Sequence, residues 1–121
     1  MKSTVKIKEN RDFRRAYNRG KSYVSPYIVV YVNKNRFGMR RLGITAGKKI
    51  GNAVCRNRAK RLIFAAFTAC ENEIPLGYDF VIVARTRILS AKSTDVARSL
   101  LKLIASAQLC NANGKNEKNT D

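Results

Sequence analysis

Between Phe13 and Cys70 the chain carries fourteen Lys and Arg residues and not one Asp or Glu. They are Arg14, Arg15, Arg19, Lys21, Lys34, Arg36, Arg40, Arg41, Lys48, Lys49, Arg56, Arg58, Lys60 and Arg61. A solvated protein face ordinarily mixes both signs of charge. A long stretch of one sign suits a polyanion, whose condensed counterions are released when its phosphates are neutralised. The densest part runs from Gly47 to Arg61 (GKKIGNAVCRNRAKR). Its glycines let backbone approach a phosphate, and a helix that follows turns its N–H groups and positive dipole end toward the same place. The spacing is not that of a Walker loop: Gly43 and Gly47 are one residue too close, and Lys49 stands where Ser or Thr is required. At 100° per residue Arg56, Asn57, Lys60 and Arg61 share one arc of the helix, with Arg58 at its edge. That spacing is suited to phosphate and 2′-hydroxyl contacts.

A second group of residues can hold single-stranded nucleic acid, because every base offers a face to stack on an aromatic ring. Phe13 and Tyr17 are four apart and fall on one helix face. Tyr27 and Tyr31 are expected to alternate onto one strand face. Together with Arg14 or Lys21 they would form a shallow aromatic cleft. The competing reading is ordinary core, and it is the better one for Tyr27.

Other chemistries find little support. The chain has no His, so it offers no Ser-His or Cys-His nucleophile pair and no imidazole ligand. Glu71 and Glu73 are the only close acidic pair, at an expected helix end where solvated charge explains them. Cys55, Cys70 and Cys110 are far apart, form no Cys-x-x-Cys motif, and read as small buried apolar residues. No catalytic residue and no metal ligand is identified. The formal charge of +17 on 121 residues concerns partners more than fold. No apolar run reaches the roughly 18 residues of a membrane span, and Met1–Asn10 lacks the apolar core of a signal peptide. The cytoplasm is the expected compartment, with no membrane partner.

The elements that must position these groups are mixed α and β. A helix is expected over Glu9–Arg19, stopped by Gly20, and a short strand over Lys21–Ser25 before Pro26. Strands are expected over Tyr27–Asn33 and Arg41–Gly47. Asn52–Asn72 is the best helix, with Asn52 as N-cap and Cys55, Ala59, Leu62, Ala66 and Cys70 as its apolar stripe. Asp79–Ala84 is a buried strand. Ser93–Leu109 is a last helix, capped by Ser93 or Thr94, with Val96, Leu100, Leu103, Ile104 and Ala107 on its apolar face. Residues 1–110 form one RNA-binding domain, and Asn111–Asp121 is a polar, disordered tail. An α/β (α+β) sandwich with helices on one sheet is the natural architecture.

The run RLGITAGKKIGNAVCRNRAKRLI, with its Arg-Asn-Arg helix after a Lys-Lys-x-Gly loop, closely resembles the signature of the bacterial ribonuclease P protein family. The resemblance extends from about Asn10 to Ala105. It includes Asp12-Phe13 with Tyr17, Gly20-Lys21-Ser22, and Asp79-Phe80-Val81-Ile82-Val83-Ala84-Arg85. It implies the order α-β-β-β-α-β-α with a left-handed β-α-β crossover, against the general right-handed rule. It implies a protein subunit that supports Mg²⁺-dependent endonucleolytic removal of the 5′ leader from precursor tRNA, with the Mg²⁺ held mainly by the catalytic RNA. Lys48, Lys49, Asn52, Arg56, Asn57, Arg58, Lys60 and Arg61 then face the ribonuclease P RNA. Phe13, Tyr17 and Tyr31 match leader-contacting positions, with Arg14 and Lys21 beside them. The chain departs from the family pattern at Phe64-Ala65, where an Arg-Glu pair is common, and at Thr68, where a further Arg is. Phe64 therefore falls on the basic arc, where it either stacks on RNA or packs on a neighbouring segment; aromatic burial favours packing. The alternative function is a structural, ribosomal-type RNA-binding protein with no part in cleavage.

Overall fold

The computed structural model describes residues 4–107. The order is β1 (Thr4–Lys6), α1 (Asn10–Arg19), β2 (Lys21–Val24), β3 (Ile28–Lys34), β4 (Arg40–Thr45), α2 (Ala53–Cys70), β5 (Tyr78–Ala84) and α3 (Ser93–Ser106). Short 3₁₀ turns at Lys48–Ile50, Glu71–Glu73 and Thr86–Ser90 complete the path. The expected α-β-β-β-α-β-α order is present, preceded by β1. The sheet order is β1-β4-β5-β3-β2. β5 pairs antiparallel with β3 and parallel with β4, and α2 makes the β4-α2-β5 crossover.

Strand alternation divides the sheet into two faces. Ile28, Val30 and Val32 of β3, with Phe80, Ile82 and Ala84 of β5, join α2 and α3 in the main core. The ring of Phe67 on α2 meets Phe80 edge-on at 6.1 Å. Tyr31, Val81 and Val83 point to the other face, where Ala16 of α1 packs on them with Phe13 and Ile7. The molecule therefore has a thick side, with two helices, and a thin side, with one.

Several elements depart from expectation. β1 lies in a segment that reads only as polar, because three residues are too few for a visible alternation. Parallel pairing with β4 makes it a strand. Tyr27 does not share a face with Tyr31: it sits in a bend before β3, outside the alternation, and packs on the main core. On α2 the buried residues are Ala59, Ile63, Ala66, Phe67 and Cys70, while Cys55 and Leu62 are only partly buried. The helix packs on both α3 and the sheet, so its apolar arc is centred one residue further round than the simple stripe. α3 begins after Lys92, whose N–H donates to the Asp95 carboxylate (2.9 Å), so neither Ser93 nor Thr94 caps it. Ala107 beyond its end is partly buried. Leu109, Cys110 and the tail lie outside the described residues.

Two charged residues expected at the surface are built into the fold. Glu71 is buried and accepts a hydrogen bond from the Thr4 hydroxyl, which joins β1 to the end of α2. Arg40 is buried, and its Nε donates to the Ile74 carbonyl (2.6 Å). Among the described residues no helix is long and apolar enough to cross a membrane.

Candidate nucleic-acid interface

The basic segment is held by a turn and a cap. Ile50 is buried and anchors the 3₁₀ turn, leaving Lys48 and Lys49 exposed. Gly51 follows at φ +136°, a backbone conformation that favours glycine. Asn52 then caps α2, its Oδ1 accepting the Cys55 N–H at 3.0 Å. An extended Asn52 backbone and an accepting side chain free the next turns to present their outer residues. Asn57, Arg58, Lys60 and Arg61 are exposed, and Arg56 is half-buried against the helix. Gly47 is exposed, and a Cβ there would meet nothing within 4 Å. Packing therefore does not demand glycine at that position, whereas close approach of a phosphate would.

The aromatic cleft is assembled on the thin side of the sheet by α1. The helix crosses the strands with Ala16 buried beside Val81 of β5. Phe13 lies over β4, where a Cβ on Gly43 would come within 2.6 Å of its ring. Only glycine at residue 43 admits that ring. Tyr17, one turn on, meets Tyr31 of β3 edge-on with centroids 4.9 Å apart, the favoured quadrupolar arrangement. Tyr17 is 40% exposed and Phe13 and Tyr31 are half-buried, so edges of these rings remain accessible. Arg14 is exposed on α1, and Lys21 is exposed at the start of the edge strand β2.

Arg41 fixes the tilt of α1. It donates to Asp12 of α1 at 2.9 Å and to Asp79 of β5 at 3.4 Å, with its guanidinium 4.7 Å from the Phe37 ring centroid. Asn35 donates to the other oxygen of Asp79 at 2.8 Å. Asp12 also sits in the first turn of α1, where the helix dipole favours a carboxylate. Two of the fourteen cations in the acid-free stretch, Arg40 and Arg41, thus hold the fold together. Local sequence does not mark them out, because their partners come from outside the stretch, in β5, α1 and the loop before β5.

The two groups of residues meet at one edge of the molecule. Lys60 and Arg61 of α2 line a cavity of about 320 Å³ together with Phe13, Phe64, Lys6, Ile7, Leu42 and Ile44. Gly43, Lys6 and Ile7 join the site without having been expected there. Gly43 carries a weak signal, as a glycine inside a strand marks close approach; β1 carries none. Arg14, Tyr17, Lys21 and Tyr31 lie away from this cavity.

Aromatic rings on a thin sheet face and an acid-free cationic helix give the fold the features of a small nucleic-acid-binding domain. Comparisons narrow that class. The Ribonuclease P family model matches residues 1–108. A ribonuclease P protein component from Thermoanaerobacter sp. (strain X514) is 38% identical over 111 residues, which is 92% of this chain and 96% of that protein. The solved ribonuclease P protein of Staphylococcus aureus superposes with a TM-score of 0.76 at 36% identity, covering 88% of this chain and 97% of that one. That of Thermotoga maritima gives 0.75 at 31% identity, covering 84% and 96%. The chain belongs to the ribonuclease P protein family.

Proposed function

We propose that this chain is the protein subunit of a ribonuclease P acting in the cytoplasm, where the holoenzyme hydrolyses one phosphodiester of precursor tRNA and releases the 5′ leader. In this reading Lys48, Lys49, Asn52, Arg56, Asn57, Arg58, Lys60 and Arg61 dock on the catalytic RNA. Phe13, Arg14, Tyr17, Lys21 and Tyr31 hold the leader. The observation that supports the assignment is the pairing of two groups of side chains: cations along the outer arc of α2, and aromatic rings on the thin sheet face, which meet at the Phe13 cavity. A protein that only scaffolds one folded RNA has no need of the second.

Division of labour follows from the side chains. The rings stack on bases of any sequence, and the cations neutralise phosphates, so both supply affinity and position rather than bond-breaking. Mg²⁺ is assigned to the RNA subunit. Asp12 and Asp79, the two buried carboxylates nearest the leader face, are already engaged by Arg41 and Asn35. The test is reconstitution: the purified chain is added to a bacterial ribonuclease P RNA at low Mg²⁺, and cleavage of precursor tRNA at the mature 5′ end is followed. Rescue of cleavage is the expected result. Tight RNA binding without rescue would instead support a purely structural RNA-binding protein.

A further inference from the structure

We propose that the cavity between Phe13 and Phe64 takes one unpaired nucleobase of the ribonuclease P RNA, which rests on the reading that α2 docks on that RNA. β1 pairs with β4 only as far as Leu42, while β4 continues to Thr45. The cavity fills the flank that β1 leaves uncovered. It is lined by the apolar Ile7, Leu42 and Ile44, by the rings of Phe13 and Phe64, and by the cations Lys6, Lys60 and Arg61. Among the described residues no Asp or Glu lines it. An apolar slot whose charged lining is wholly cationic complements a flat base joined to phosphates on both sides, and its size is at the lower end of small-ligand sites.

Phe64 gives the slot its character. It follows Arg56 and Lys60 in one i, i+4 row of α2, yet it is 39% exposed on that cationic arc. Lys6 Nζ lies over its ring, 6.0 Å from the centroid, so a cation sits beside the aromatic face. Three of the lining residues, Phe64, Lys60 and Arg61, come from α2, and Phe13 is the one residue shared with the leader group, so the occupant is assigned to the RNA subunit. Tyr17 and Tyr31, which would continue a leader stack, do not line the cavity.

Two variants and one crosslink test this in the full-length protein with a bacterial ribonuclease P RNA transcript, the crosslink being run with precursor tRNA also present. Phe64→Leu keeps an apolar side chain but no stacking face, and Phe64→Tyr keeps the face. Phe64→Leu is expected to weaken RNA binding about tenfold, the loss of one stacked base. Its salt slope should match the wild type, since every phosphate-facing cation remains. Phe64→Tyr should bind like wild type, and both should melt with the wild-type midpoint. A photoreactive benzoylphenylalanine at residue 64 should crosslink to one unpaired nucleotide of the RNA subunit. Wild-type affinity for Phe64→Leu, or a crosslink to the precursor tRNA leader instead, would overturn the proposal and leave α2 docking intact. If the wild-type chain itself failed to bind the transcript, the docking reading would fall and this one with it.

Discussion

Gly43 makes room for the Phe13 ring in the proposed leader cleft. A Cβ at residue 43 would overlap the Phe13 ring, so Gly43→Ala must displace it. Gly43→Ala and Phe13→Ala are therefore expected to act alike, each weakening precursor tRNA binding by the holoenzyme by about 1–3 kcal/mol while sparing mature tRNA, which has no leader. Tyr17→Ala should behave similarly. The ratio of the two affinities, in variants whose circular dichroism matches the wild type, checks all three. Equal losses for both ligands would return these rings to a core role. At the cysteines the expected difference is in reactivity. Burial, and secondarily the charge of Glu73, pushes the Cys70 thiol above its usual 9.0. Cys55 is only partly buried. The folded Cys70 thiol keeps its proton where the unfolded one loses it, so it contributes a loss of stability as pH rises from that ordinary value toward the raised one. An alkylating reagent at pH 8 should label Cys55 in the folded protein and reach Cys70 only on unfolding, as peptide masses would show. That Phe13 and Tyr17 share one face of α1 was legible from i, i+4 spacing, while their expected part in a cleft rested on the family resemblance. The place of Tyr27 was not legible, because strand alternation holds only inside a strand and Pro26-Tyr27 is a bend.

At the scale of elements, α2 is the unit proposed to face RNA, and its cap and its cations can be tested separately. Arg56→Ala or Arg58→Ala should weaken assembly with the RNA most at moderate salt. The slope of log affinity against log salt should fall by roughly 0.7–0.9 for each phosphate left without its cation. Tight, unaltered assembly across a salt series in both variants would remove these residues from the interface. Asn52→Ala should lower thermal stability by about 1 kcal/mol, the usual cost of removing a cap. The seating of α1 depends on Arg41. Arg41→Ala removes the cation shared by buried Asp12 and Asp79, but Asp12 keeps Arg15 (3.1 Å) and Asp79 keeps Asn35 (2.8 Å), so the cost is expected to be that of a lost charge-assisted hydrogen bond, about 1–3 kcal/mol. Urea denaturation should report a loss of that size, more than for the exposed Arg36→Ala. α1, α2 and α3 and strands β2 to β5 were readable because each repeats a local pattern. β1 was not, since its three residues become a strand only through β4, and its Thr4 hydroxyl is held by Glu71, 67 residues away.

For the whole molecule, a charge of +17 with no His sets the mode of action. The purified chain, freed of RNA, is expected to leave precursor tRNA intact at any Mg²⁺ concentration; robust cleavage by such a preparation would assign the chemistry to the protein after all. The amino-acid sequence by itself determined the strong positive charge, the absence of imidazole chemistry, the order of the main elements and the family. Charge sums along the chain, and helix and strand periods are read within a few residues, so these properties need no knowledge of distant contacts. Only the tertiary structure decided which cations are committed to the fold, since Arg40 and Arg41 find their partners in segments 29 to 38 residues away. It alone decided that Tyr31 faces α1 while Tyr27 faces the main core. It also brought Phe13 of α1 and Phe64 of α2 to one cavity at the β4 edge, because β1 stops pairing at Leu42 and leaves that flank open. Burial and pairing are set by residues far apart in the chain, and no local pattern records them.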